Sequence, residues 1–521
     1  MVGWRELLGW RRGPLDTAAE ECRSRLAGLG EIAAELAGAH RLAQKNGDPL
    51  EGELDRRLRE TELLASRCTE LLMATSRAAD MVGQVATAVH ECRSLAARTG
   101  HRISARGAIR PAPDAPLVRR LLPGGLRPGS RTLSRMVRET GRLAESAWRD
   151  YAARLHAVRE GSSAGAPAER PDPAWSPSER AAWWRALPPA AAEGLLKRQP
   201  ELLGGLDGID SLSRDRANRL LLAERLCRSR TGLGELLAVE RVLEAWDRRR
   251  GPGHARLLVF EQRGGRLRVA VGLGDLERVD CLSVYVPGMY TTAERDLRDS
   301  LRDLDRIAAL AAERHGLDRA RLGLVSWIGY DVPLSVLHVL DAQRARTGGA
   351  VLSDFLWGLR AAHAGRPRVC VFGHSYGSTT TGMMAGRVPV GLVDDIVLFG
   401  SPGSAVRDVA EYNIAGRPYV SAISSHDAVQ GLGPDVWYGA DPARMPGFVR
   451  LSGRGPRYTG PAWNPLGRHS SYLLFEADGA PTGIVEDFAA VMAGAGHRLR
   501  GRCDARDAKV PPGSSGPALA G

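Results

Sequence analysis

The sequence predicts an α/β fold with a mostly parallel sheet in the C-terminal half, preceded by an all-helical region. Two observations carry that reading. From residue 255 onward, short apolar runs at 281–286, 322–327, 369–372, 396–399, 419–423 and 448–451 alternate with helical periodicity. Buried strands alternating with helices indicate a sheet covered on both faces. Before residue 255 the periodicity is helical.

Three amphipathic stripes run through the first 160 residues. Cys22, Leu26, Leu29, Ala33 and Leu36 form the first; a second runs from Leu54 to Val89, and a third from Leu133 to Leu155. Lys45-Asn46-Gly47-Asp48-Pro49 breaks the first two stripes and predicts an antiparallel helical hairpin. Residues 161–175, rich in Gly, Ala, Pro and Ser, read as a linker. Ser176-Pro177-Ser178-Glu179 is a capping box with proline at N1, so a helix starts there and stops at Pro188-Pro189. Further helices reach about Trp246. A β-hairpin follows, with strands over 256–261 and 266–271 around Gly264-Gly265. Between the later strands, helices are expected over 294–314, 335–346, 350–363, 377–386, 403–412 and 483–495. The expected units are a helical domain (1–160), the linker (161–175), a helical segment packing on the sheet domain (176–250), the sheet domain (251–500) and a disordered tail (501–521).

A chain of 521 residues is too long for one ordinary core. Its formal net charge of +12 raises nucleic acid as a partner. Eight of the arginines fall between Arg102 and Arg135, with five prolines and one acid, Asp114. That stretch has neither interleaved aromatics for base stacking nor zinc-ligand spacing. It reads as a solvated basic linker, with contact to an anionic surface as the alternative. Seven scattered cysteines without C-x-x-C argue against a disulfide framework or a metal site. The N-terminus has no apolar signal region and no window approaches eighteen apolar residues, so a cytoplasmic protein without a membrane span is expected. No metal or organic cofactor is implied.

The chemistry concentrates at Gly373-His374-Ser375-Tyr376-Gly377, between an apolar strand and a helix. A nucleophile on so tight a turn needs glycine two residues to either side, because side chains there would clash. The turn also places Ser375 at the positive end of the following helix. A serine hydroxyl needs an oriented base, and on this strand order the acid comes next and the histidine last. Asp427, just past the run 419–423, is the chosen acid, with Asp435, Asp441 and Asp408 as reserves. Asp394 and Asp395 precede their strand and belong to the wrong end of the sheet. His469 follows the last strand and is the chosen base, while His497 lies beyond a further helix. His374 is expected to shape the turn and His426 to support the acid. One oxyanion donor should be the N–H of Tyr376. The second should come from the loop Pro287-Gly288-Met289-Tyr290, with Met289 favoured over Tyr290.

The segments VYVPGM, WIGYDVP, VFGHSYGSTTTG, DDIVLFGSPG, SSHDAV and GRHSSYL, with WWRALPPAAAEGLLKRQPELLGGLDGI upstream, resemble an actinobacterial α/β-hydrolase family catalogued as a domain of unknown function. The resemblance covers about residues 183–497. It implies an α/β-hydrolase fold and a triad that maps onto Ser375, Asp427 and His469. The N-terminal hairpin is loosely similar to helical modules of type VII secretion substrates, although the W-x-G turn is absent from 45–52. Export by such a route is therefore a minority expectation.

The leading functional expectation is a serine hydrolase acting through an acyl-enzyme on an ester, thioester or amide. Its substrate would be a small-molecule or lipid acyl compound, and esterase or lipase chemistry is favoured. Acyl transfer by the same triad is one alternative. Another is a non-enzymatic protein whose N-terminal helices bind a protein partner and whose hydrolase domain is vestigial.

Overall fold

A computed structural model describes residues 3–113, 129–160, 170–228, 232–263, 266–333, 342–422, 427, 429, 438–456 and 469–499. The expected disordered tail, the core of the expected linker, and the site candidates His426 and Asp435 lie outside these residues.

The N-terminal part is helical as predicted. Helix α1 (Trp4–Leu7) precedes α2 (Gly13–Asn46) and α3 (Glu51–Arg98), which form a hairpin. Gly47 closes α2 in the left-handed conformation (φ 63°), where glycine carries no Cβ penalty. Helix α4 (Ser130–Glu160) packs along α3. Burial along α3 is uneven. Thr61 is its only buried residue before Thr69, whereas buried residues crowd from Leu72 to Ala96. Near the loop end, Leu42, Leu50, Leu63 and Leu64 are exposed. A short hairpin of β1 (His101–Ile103) and β2 (Ile109–Pro111) lies inside the stretch read as a basic linker. Its turn bonds, including Gly107 N–H to Ser104 O, form where arginine-rich composition had masked a short β pattern.

Helices α5 (Pro177–Ala186), α6 (Pro189–Arg198), α7 (Pro200–Gly204), α8 (Ser211–Arg228) and α9 (Leu233–Arg250) come next. The capping box starting α5 forms as expected: Ser176 Oγ accepts from Glu179 N–H and Glu179 Oε2 accepts from Ser176 N–H. Glu179 is fully buried and is bound by Arg77 of α3, whose Nη1 lies 3.2 Å from both carboxylate oxygens. Arg77 Nε also meets Asp150 of α4 at 2.9 Å. One guanidinium thus ties three helices together. Arg77→Ala would leave the buried Glu179 only the more distant Arg154, 4.0 Å away, and a loss of about 3 kcal/mol is expected in chemical denaturation. Beside this pair, buried Asp80 of α3 accepts hydrogen bonds from Ser176 and Ser178.

The main sheet contains β3 (Ala255–Arg263), β4 (Arg266–Leu273), β5 (Cys281–Val286), β6 (Leu322–Ile328), β7 (Arg368–His374), β8 (Asp395–Phe399), β9 (Pro418–Ser421) and β10 (Val449–Arg450). Their spatial order is β10-β9-β8-β7-β5-β6-β4-β3. β3 pairs antiparallel with β4, and β4 antiparallel with β6; all other pairings are parallel. Helices α10 (Ala293–His315), α11 (Gln343–Ala362), α12 (Tyr376–Ala385) and α13 (Gly483–Met492) connect or follow the strands. The core runs through the sheet and both helical layers, with Val284, Val325, Trp327, Val371, Phe372 and Phe399 fully buried.

Two expectations fail. Residues 403–412 form no α-helix, only a 3-10 turn over Val409–Glu411. Ala405 takes a positive φ of 66°, and the Ser401 and Ser404 hydroxyls bond to nearby backbone groups in place of a helical ladder. The break expected between helices 335–346 and 350–363 is also absent from Gln343 onward, where α11 continues through Gly348-Gly349. These glycines serve close packing. A Cβ on Gly348 would lie 2.9 Å from the Tyr330 ring, and one on Gly349 2.8 Å from Met383. α11 is thereby the crossover helix between β6 and β7, resting on α12 and α5.

Candidate active site at the carboxyl edge of the sheet

β7 ends at His374 and α12 begins at Tyr376, which leaves Ser375 alone in the turn with φ 53° and ψ −130°. Positive φ costs a non-glycine residue roughly 1–2 kcal/mol. The surroundings fix it: Ser375 N–H donates to Phe399 O at 3.0 Å, and Ser375 O accepts from Ser378 N–H at 2.9 Å. The two flanking glycines have the predicted reason. A Cβ on Gly373 would lie 2.5 Å from Thr381 Oγ1, and one on Gly377 would lie 2.2 Å from Val286 O.

The structure brings Ser375 and His469 to one cleft of about 390 Å³, bounded by the loop after β5, by α10 and by Tyr472. Among the described residues no hydrogen bond joins the Ser375 hydroxyl to the imidazole. His469 Nδ1 lies 2.9 and 3.0 Å from the two oxygens of Asp427. Asp427 also accepts hydrogen bonds from Val429 N–H (2.9 Å) and Tyr472 Oη (2.7 Å). Burial pushes the Asp427 carboxyl up, but the bonds and charge of His469, with those from Val429 and Tyr472, outweigh it and hold the group below its ordinary range. With Nδ1 committed to the carboxylate, Nε2 is the ring nitrogen left for proton exchange.

His374 is placed differently. Its Nε2 bonds to His469 O at 2.8 Å, and its ring stacks between Phe399 and His469 with centroids 5.1 and 4.7 Å away. Burial, and then the neighbouring His469, lower its pKa to about 3. A nitrogen that weakly basic stays neutral at pH 7, so His374 holds the His469 backbone in place without taking up protons.

The loop after β5 approaches the serine closely. A Cβ on Gly288 would lie 2.5 Å from Ser375 Cβ. Tyr290 N–H donates to Pro333 O at 2.9 Å, so that amide is already committed. Met289 lines the cleft, and Tyr376 is the first residue of α12. Tyr330 braces this corner by donating from Oη to Pro287 O at 2.8 Å and stacking parallel to Tyr376.

Of the other candidates, Asp441 caps its own turn by accepting from Ala443 N–H, and Asp408 does the same for Ala410 N–H. Asp394 and Asp395 sit at the start of β8, bonded to Val369 N–H and Arg368 respectively, at the opposite edge of the sheet. His497 bonds to Gly494 O beyond α13. Two contributors escaped the sequence reading. Tyr472 was visible only as the residue three after His469. Gly400, with φ 54°, lies where a Cβ would stand 2.9 Å from His469 Cε1 and 3.1 Å from Asp427 Oδ2; its signal was a Gly-Ser-Pro-Gly turn directly after a buried strand.

Residues 263–437 match the family model described as alpha/beta hydrolase. The fold is an α/β-hydrolase fold. Within that fold β3 is the first strand, and the strained serine follows the fifth. The uncharacterized protein Rv2079 of Mycobacterium tuberculosis is 27% identical to this chain over 309 residues, covering 51% of the chain and 46% of that protein. The uncharacterized protein Rv0963c of the same organism is 28% identical over 211 residues, covering 39% and 77% respectively. The chain spans about half the length of the first of these relatives. No described helix is long and apolar enough to cross a membrane.

Proposed function

We propose that the protein is a serine hydrolase that cleaves an ester, thioester or amide through an acyl-enzyme, with a carboxylic ester favoured. The observation that carries the reading is a strained serine sharing a cleft with an imidazole whose far nitrogen is fixed by a buried carboxylate. In this reading Ser375 Oγ attacks the carbonyl carbon and its proton passes to His469 Nε2. Asp427 holds the ring's tautomer and stabilises the imidazolium. The negative oxygen is received by the N–H groups of Tyr376 and Met289. Collapse of the tetrahedral intermediate expels the alcohol, which takes the proton from His469. Water then repeats the sequence on the acyl-enzyme and releases the acid. The serine and imidazole would be drawn into hydrogen-bond reach as substrate fills the cleft.

The cleft wall supplied by α10 carries Asp296, Asp299 and Asp303 alongside Arg295, whose guanidinium is engaged by Tyr290 O. This balance favours an uncharged acyl group over an anionic one.

Labelling by a fluorophosphonate probe tests the proposal. Folded wild type should label on Ser375, and Ser375→Ala should not. Absence of labelling in folded wild type, or unchanged labelling of the variant, would exclude it. A subtler variant tests the geometry. Gly400→Ala places a methyl against the imidazole and the carboxylate at a positive φ. Turnover of a chromogenic ester is expected to fall about 100-fold, given the sensitivity of such sites to displacements near 1 Å, while far-UV circular dichroism stays native.

A further inference from the structure

The junction between the helical arm and the hydrolase domain forms a half-open cavity of about 470 Å³, separate from the serine cleft. Five arginines line it: Arg12 and Arg23 from the arm, Arg185 on α5, Arg360 on α11, and Arg366 beyond α11. Among the described residues the lining carboxylates are Asp16 and Glu20. Both are already paired along α2, Asp16 with Arg12 at 2.8 Å and Glu20 with Arg23. The three arginines of the opposite wall are in a different position. Arg185 donates to Ala361 O at 2.5 Å, Arg360 to Gly365 O at 2.8 Å and Arg366 to Gly391 O at 3.3 Å. A carbonyl satisfies one N–H of a guanidinium without neutralising it, and the carboxylates near Arg185 (Glu20, Asp210, Glu277) and Arg360 (Asp16) offset their burial only in part.

Burial and the neighbouring arginines press on these charges. The pKa of Arg185 falls to about 10 through burial and then Arg23, and that of Arg360 to about 10 through burial and then Arg12. Both guanidinium groups still carry full charge at neutral pH. Removing charges from water is costly unless counter-charge is supplied, and the same burial strengthens any ion pair that forms. Thr17, Ser76 and Ser178 add hydroxyls to the lining, and the positive end of α2 opens at Gly13. The described lining holds no Phe, Tyr or Trp, and its one ring, His363, is buried and held by Val279 O and Gly365 N–H.

We propose that this cavity binds a compact phosphorylated anion, held by Arg185 and Arg360 from the hydrolase side and closed over by the first turns of α2. Guanidinium groups suit this ligand because their planar donors match phosphate oxygens two at a time. Since arm and hydrolase domain both line the site, its occupancy would fasten one to the other.

The test is calorimetric titration of the full chain with inorganic pyrophosphate at constant ionic strength. Saturable one-to-one binding is expected, weakened about tenfold or more in Arg185→Gln and in Arg360→Gln, as loss of a charge-assisted pair implies. Arg241→Gln, in the arginine-lined groove between α9 and α10, should bind as wild type does. Should the Arg185 and Arg360 variants fail to fold, the exposed Arg366→Gln serves instead and should weaken binding about threefold. Lack of saturable binding, wild-type affinity in the cavity variants, or an equal loss in Arg241→Gln would each overturn the proposal. Tighter binding of a hexaglutamate peptide than of pyrophosphate would overturn the ligand class.

Discussion

Ser375→Ala, His469→Ala and the double variant should all hydrolyse a chromogenic ester at one common residual rate, on the order of 10⁵–10⁶ below wild type. The equality is the informative part. A hydroxyl without its base attacks no faster than bound water, and a base without its hydroxyl has no proton of value to remove. Loss of either therefore removes the whole nucleophilic route, and the second substitution costs nothing more. Steady-state assays of the four proteins check this. Additive losses in the double variant would mean that serine and histidine act in separate steps, which the proposed mechanism does not allow. All three variants should fold, because each truncation faces the cleft.

Asp427→Asn is expected to lower turnover by about 10³–10⁴ with substrate affinity little changed. The reason lies in the direction of the hydrogen bonds. Asp427 accepts from His469, Val429 and Tyr472 and donates to none of them. An asparagine presents an amide N–H₂ to partners arranged as donors, so either the bond fails or the imidazole takes the other tautomer, with Nδ1 accepting and Nε2 protonated. In that tautomer Nε2 faces Ser375 with a proton already on it and cannot take another. The same contacts hold the aspartate ionised down to below the usual carboxylate range, so a wild-type loss of rate above that range cannot come from this group. Assaying kcat and KM of Asp427→Asn across pH distinguishes the cases. A fall confined to KM would mean that the carboxylate serves binding and not the base.

The sheet was legible because its strands are continuous apolar runs bounded by turn residues. The serine turn was legible because a close backbone approach forces glycine at fixed offsets. That Asp427 and His469 meet was legible from chain order, since residues following successive parallel strands must emerge at the same edge. Tyr472 was not legible: a tyrosine becomes a carboxylate's third donor only through tertiary placement of a loop. The region 403–412 misled because Ala405, Val406, Val409 and Ala410 imitate helical spacing, while Ser401 and Ser404 settle the local hydrogen bonding otherwise. Gly348-Gly349 misled in the opposite sense, reading as a break where the physical need was for bare backbone against Tyr330 and Met383. The cavity arginines gave no sequence signal, as they come from three parts of the chain, around Arg12 and Arg23, at Arg185, and at Arg360 and Arg366.

The uneven burial along α3 gives the arm a graded resistance to opening. At 1.5 Å per residue its 48 residues reach about 72 Å. The end near Gly47 can unzip with little loss of apolar contact, so its amide protons should trade with solvent through small fluctuations. The other end cannot peel away without stranding Glu179 and uncovering Asp80, which links its opening to that of the molecule as a whole. A force applied at the tip would thus be absorbed by melting turn after turn long before it reached the sheet domain, and the arm would behave as a fuse in series with it.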